Sequence, residues 1–343
     1  MADPLSPFLP PSYEKTIGRI IILIVSLVCT ACSPMVNRPG EGVQSPFLGR
    51  SHFTTEDGTV LPVRSWLPTT DSVKAVIIAL HGFNDYSRFF NAAGEYLSQR
   101  GYASYAYDQR GFGNAPGRGL WAGVEAYADD LKAFSTQLRH RHPGVPLYIL
   151  GESMGGAVAI VAMTSQHPPS SDGLILSSPA VWGRSTMPWY QSSLLDIMAH
   201  TAPWLSLTGE GLKIMASDNI DMLRQLGRDP LVIKSTRIDA MYGLADLMDA
   251  ALDKAGQIKT PTLVLFGERD QVVPREPVAR MLEKMPRPPQ TQVAFYENGY
   301  HLLLRDLQAK KPWDDIIAWM ENRNAPLPSG ADRRVALNGL INH

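Results

Sequence analysis

The 343-residue chain is 44% hydrophobic and 19% charged, the balance of a folded globular protein rather than a disordered one. Its 32 basic and 33 acidic side chains nearly cancel, and no basic stripe is visible, which argues against nucleic acid as a partner. Both cysteines, Cys29 and Cys32, fall in the first tenth of the chain. No disulfide or cysteine metal cluster is therefore expected in the remainder.

In chain order, Lys15 and Arg19 precede "IIILIVSLVCTAC" (20–32), an apolar run of 13 residues. That is shorter than the roughly 20 residues a helix needs to cross a bilayer and suits a secretory signal. "VCTAC" resembles the lipobox of bacterial lipoproteins, with Thr30 and Ala31 before a lipidated Cys32, although Cys29 stands where leucine is usual. Residues 1–32 are thus expected to be a lipoprotein-type signal, with an uncleaved anchor or ordinary signal as the alternative. The lipidated or anchored form would hold the protein to the membrane of a bacterial cell envelope. Residues 33–50, rich in Pro, Gly and Ser, read as a linker.

"HFTTEDGTVLPVRSWLP" then predicts two short strands around Asp57-Gly58. Apolar runs at 74–80, 103–108, 146–152, 173–179, 261–268 and 291–297 predict further strands, with helical patterns between them. The clearest helix is Val124–His140, with Tyr127, Leu131, Phe134 and Leu138 at helical spacing. This alternation predicts an α/β fold, a mostly parallel sheet flanked by helices, over 51–181 and 259–323. Such sheets place active sites at the carboxyl ends of their strands. Residues 182–258 lack a convincing strand and are expected to form an inserted helical cap, and 324–343 a loosely ordered tail.

"GESMG" (151–155) matches G-x-S-x-G, and its setting is what gives it weight: the strand pattern "PLYIL" runs into it and the helix pattern "GGAVAIVAM" runs out. A reversal this sharp strains the central residue and lifts the Ser153 hydroxyl above the sheet. A serine needs a base, and the base an orienting acid. Among the histidines, His301 follows the last predicted strand across "NGY". Asp270 follows the preceding one, and Ser153…Asp270…His301 is the chain order this architecture requires. Glu268 is the alternative acid, whereas Asp221 and Asp229 lie in the cap and fit poorly. Oxyanion donors are expected from the backbone N–H groups of Met154 and Phe83, with His81 shaping the loop.

With "HGFNDYS", "YDQRGFGNAPG", "GESMGG", "FGERDQVVP" and "NGYHLLLRD" in order over residues 74–320, the chain resembles the α/β-hydrolase superfamily. Within it, the monoacylglycerol lipase and lysophospholipase group is the most similar. The resemblance implies an α/β-hydrolase fold and a serine hydrolase cleaving lipid-like carboxylic esters through an acyl-enzyme, with no metal or organic cofactor. It also implies that Asp108 and Arg110 stabilise the loop beside the oxyanion hole. Asn84 departs from the small or acidic residue common there. In the cap, Trp189, Tyr190, Leu194 and Trp204, with Met187, Leu195 and Leu205, are candidates to line an acyl channel or simply to pack the cap onto the sheet. The same three residues would also serve an aminopeptidase, perhydrolase or acyltransferase; a catalytically dead, envelope-tethered binding protein is the reading from another class.

Overall fold

The computed structural model describes residues 33–333, apart from residues 71, 210 and 212. The expected signal or anchor, Cys32 included, and residues 334–343 lie outside the described residues.

The first strands are β1 (Phe47–Leu48), β2 (His52–Thr54) and β3 (Val60–Trp66). Strands β2 and β3 form the expected hairpin, with Gly58 at φ 79° in its turn. Strands β4 (Ala75–Leu80), β5 (Tyr102–Tyr107), β6 (Leu147–Glu152) and β7 (Gly173–Ser177) follow. After an excursion containing β8 (Ser206–Thr208) and β9 (Ser235–Arg237) come β10 (Thr262–Gly267) and β11 (Thr291–Tyr296). The main sheet has the order β1-β2-β3-β5-β4-β6-β7-β10-β11. It is parallel from β5 through β11, and β3 joins β5 antiparallel.

The helices are α1 (Asn91–Ser98), α2 (Val124–Arg141), α3 (Met154–Met163), α4 (Trp189–Thr201), α5 (Ile220–Arg228), α6 (Ile238–Lys254), α7 (Arg275–Lys284) and α8 (Lys310–Glu321). Strand side chains alternate between two cores. Val76, Ile78 and Leu80 of β4 share one core with buried residues of α2, α3, α6 and α7, whereas Ala75, Ile77 and Ala79 share the other with residues of α1 and α8. Both faces are covered, so these strands are continuous apolar runs. Burying each large aliphatic side chain contributes about 1.5–3 kcal/mol. Helix α2 carries Glu125 in its first turn and Arg139, His140 and Arg141 in its last, matching charge to the helix dipole.

Several boundaries differ from the sequence reading. Residues 182–258 are not one helical cap. Helix α6 buries Leu247, Met248, Ala251 and Leu252 in the main core, and the excursion proper ends with the β8–β9 ribbon, whose strands are too short for periodicity to reveal. The stretch 33–50 lies along the body: Val36 bridges to Trp121, the Asn37 N–H donates to the Trp121 carbonyl at 2.7 Å, and β1 pairs with β2. Beyond residue 324, Leu327 and Ala331 are buried in the second core. Among the described residues no helix is long and apolar enough to cross a membrane.

Strand order reverses at β4, which lies between β5 and β6. Crevices at such a switch point, outside the carboxyl ends of the strands, are where open α/β sheets bind ligands.

Candidate active site

Strand β6 runs into Ser153, and α3 leaves it immediately. Ser153 has φ 53° and ψ −116°, a positive-φ conformation that costs a non-glycine residue of the order of 1–3 kcal/mol. The flanking glycines make the turn possible: a Cβ on Gly151 would collide with the Gly155 carbonyl, and one on Gly155 with the Leu80 carbonyl. The backbone there is held from several directions. The Ser153 N–H donates to Ser177 O at 3.0 Å, and the Ser153 carbonyl accepts from Gly156 and Ala180 N–H, both at 2.9 Å.

His301 lies between Ser153 and Asp270. Its Nδ1 is 2.8 Å from Asp270 Oδ2 and its Nε2 is 3.0 Å from Ser153 Oγ. A carboxylate only accepts, so Nδ1–H donates to Asp270 and Nε2 is left to accept the serine proton. Asp270 Oδ1 accepts from the N–H groups of Val272 and Val273 at 2.8 and 3.0 Å. Both Asp270 oxygens are therefore occupied, and the side chain is fully buried. The fold thus brings together the three residues that the strand-and-loop order singled out. Glu268, the alternative acid, is not the partner of the His301 ring, Asp221 pairs with Arg224, and Asp229 bonds Tyr86 and Arg88. The loop before His301 is anchored by Asp306, which accepts from Tyr300 N–H at 2.7 Å and from the Ser217 hydroxyl at 2.6 Å. Burial pushes the Asp306 carboxyl up to about 6.

Phe83 and Met154 stand on the two segments flanking Ser153, the loop after β4 and the start of α3. The first N–H groups of a helix have no partner within it and favour negative charge. Gly82 permits the close approach of the β4 loop, since a Cβ there would lie 3.3 Å from that of Ser153. His81 shapes this loop as expected. Its Nδ1 lies 2.8 Å from Gly82 O, and its Nε2 accepts from Gln109 N–H at 2.9 Å. Full burial lowers its pKa, so the ring is neutral with the proton on Nδ1.

Asp108 also supports this region, accepting from Ser87 N–H at 3.0 Å and Asn114 N–H at 2.9 Å. Arg110 differs from the expectation. It bonds Asp57 of the first hairpin and Asp130 of α2, at 2.8 and 2.7 Å, and so fastens the amino-terminal strands instead of the oxyanion loop. Asn84, at φ 66°, links to the excursion: its side chain donates to the Thr236 hydroxyl at 2.7 Å, and its carbonyl accepts from Ile233 N–H at 2.9 Å.

The expected acyl-channel residues lie elsewhere than predicted. Trp189, Tyr190, Leu194 and Trp204 are 78%, 57%, 60% and 58% exposed, so they neither line an enclosed channel nor pack the excursion onto the sheet. Met187 and Leu195 are partly buried against the core. Apolar character alone could not distinguish these outcomes.

Comparison with known proteins adds a family pattern. The model of the Hydrolase_4 family, described as "Serine aminopeptidase, S33", matches residues 71–308. A monoacylglycerol lipase of Mycolicibacterium smegmatis is 22% identical over 267 residues, covering 74% of this chain and 90% of that protein. A monoglyceride lipase of Rattus norvegicus is 26% identical over 303 residues, covering 85% and 97%. The crystal structure of a Paleococcus ferrophilus monoacylglycerol lipase superposes with a TM-score of 0.65 at 23% identity, covering 77% of this chain and 99% of that one.

Proposed function

Because the chain belongs to the Hydrolase_4 family and has an α/β-hydrolase fold, we propose that it is a serine hydrolase cleaving lipid-like carboxylic esters. Monoacylglycerols or lysophospholipids are the substrate class. The observation that carries this reading is the His301 ring, within hydrogen-bonding distance of Ser153 Oγ on one side and Asp270 on the other.

In this mechanism Ser153 Oγ attacks the acyl carbonyl while His301 Nε2 takes its proton, and Asp270 stabilises the resulting imidazolium. Negative charge develops on the carbonyl oxygen, which the Phe83 and Met154 N–H groups would receive. His301 returns the proton to the leaving alcohol. Water then repeats the sequence on the acyl-enzyme and releases the fatty acid. The relatives named monoacylglycerol and monoglyceride lipases support a lipid ester. So does the exposed apolar strip of the excursion, which suits a substrate drawn from a lipid surface. Attachment through a lipidated Cys32 belongs to the same reading, with an N-terminal anchor as its alternative. Mass analysis of membrane-extracted protein should then find a lipid-modified terminus at Cys32, and an intact Met1 would rule that out.

A fluorophosphonate probe tests the core of the proposal: it should label the wild type, and an unlabelled wild type would overturn the proposal. The family description favours one second reading, a serine aminopeptidase. Faster turnover of proline anilides than of monoacylglycerols would establish that reading instead.

A further inference from the structure

Behind the triad lie three charged side chains that the reaction above does not use. Glu152 ends β6, next to Ser153, and its side chain is fully buried. Its Oε1 accepts from Arg305 Nη2 at 2.6 Å, while its Oε2 is buried without a hydrogen-bond partner among the described residues. The other fork of Arg305, Nη1, donates to Asp85 Oδ2 at 2.7 Å. Asp85 stands two residues beyond Phe83. Its N–H donates to Gly82 O at 3.3 Å, and its Oδ1 accepts from Tyr86 N–H at 2.8 Å. Arg305 itself lies four residues beyond His301, its N–H donating to Leu302 O at 2.8 Å. One guanidinium therefore joins the strand that ends in the nucleophile, the loop that carries Phe83 and the loop that carries the base.

Such an arrangement is costly to bury. Taking a guanidinium and two carboxylates out of water is strongly unfavourable for each ion, and an apolar cluster of similar volume often packs as stably. Burial opposes the charge on Arg305, yet Glu152 and Asp85 outweigh it and hold the guanidinium protonated. The rigid planar fork also fixes how far apart its two carboxylates stand, which a lysine ammonium on a flexible stem cannot do. Misplacing reacting groups by about 1 Å can cost about a hundredfold in rate.

We infer that Arg305 is a positioning residue for the proposed ester hydrolysis: by bridging Glu152 and Asp85 it sets the spacing of Ser153, the Phe83 amide and His301 before substrate binds. The inference rests on the serine-hydrolase reading of the site. Glu152 and Asp85 bond to different nitrogens of the same guanidinium, so their contributions pass through Arg305 and should be coupled.

The experiment is a double-mutant cycle in the full chain with E152Q, D85N and the double variant, beside R305K. Each single substitution is expected to lower kcat about tenfold with KM within about twofold. The double variant should lose much less than the product of the single losses, because either substitution already breaks the bridge. R305K, which keeps the charge and loses the span, should lose kcat to a similar extent. Unchanged kcat, losses confined to KM, or a double-variant loss equal to the product would overturn the inference. Should R305K fail to fold, the cycle alone decides. Fluorophosphonate labelling of the wild type separates the two claims: no labelling removes the hydrolase reading itself, whereas labelling with an independent cycle removes only the clamp.

Discussion

The edge of the sheet and the excursion that overhangs it are built differently. Helix α3, which begins just after Ser153, is buried at every residue from Met154 to Met163, and strands β4, β6 and β10 are buried throughout. In the excursion, α4 buries only Ala199 and α5 buries no residue. Beside the packing of Trp182, Met187, Leu195 and Ile233 against the main core, polar links hold the excursion to the body: Ile233 and Thr236 on Asn84, Asp229 on Tyr86, Ser217 on Asp306, and the Met215 N–H on the Gln271 side chain at 2.9 Å. Every one of these body-side residues lies in the loop carrying Phe83, Asp270 or His301, or just beyond it. The candidate site is therefore built on a buried core, while the excursion is fastened in good part by the loops that frame the site.

The sharpest way to break this contrast is at the core side of the site. Ser153→Ala should abolish fluorophosphonate labelling and lower kcat on esters by about 10⁴-fold or more, with the fold intact. Activity surviving at near wild-type level would place the nucleophile elsewhere. Asp270→Asn comes next. An amide can offer an N–H to His301 Nδ1 and so favour the wrong tautomer, for a loss of about 10³- to 10⁴-fold in kcat. A loss under about tenfold would mean that Asp270 does not orient the base.

Stability should divide along the same line. Leu150 is fully buried in β6, and Leu150→Ala should cost about 2–5 kcal/mol in denaturant unfolding. Leu194→Ala, on the exposed face of α4, should change stability by no more than about 0.5 kcal/mol. Equal costs would mean that the excursion belongs to the cooperative core after all.

The two regions were also unequally legible in the sequence. The main strands and the order Ser153, Asp270, His301 are legible because buried parallel strands are mostly apolar runs and each site residue stands at the end of one or in the short loop after it. The glycines of "GESMG" were legible because close backbone approach leaves no room for a side chain. The bridge from Arg305 to Glu152 and Asp85 was not, since it joins three distant segments and only the charged residue within the elbow hints at it. Arg110 was misplaced for a similar reason, its partners Asp57 and Asp130 lying far off in sequence. Helix α6 reads as part of the cap in the sequence because helical periodicity shows that a face is buried without showing what buries it. The 33–50 stretch is tied down by the burial of Leu48 and by hydrogen bonds that use mostly its backbone groups, and such bonds carry no side-chain signature.

The smallest effect expected is also the one that asks what the excursion does. Trp189, Leu194 and Trp204 are exposed, so replacing all three with serine removes few packing contacts and should leave the fold and soluble-substrate kinetics nearly unchanged. If these side chains meet a lipid surface, each contributes part of the roughly 1.5–3 kcal/mol available from full burial. Partial insertion summing to about 1.4 kcal/mol corresponds to about tenfold in surface binding. The triple variant should therefore lose about five- to tenfold in turnover of a long-chain monoacylglycerol presented in phospholipid vesicles, and almost nothing on a dissolved short-chain ester. Equal losses on both substrates would make the exposed strip part of the substrate site, and no loss on either would deny it a role at the lipid surface. Only a presentation-dependent loss fits an excursion that meets the substrate's surroundings while the sheet edge meets its ester bond.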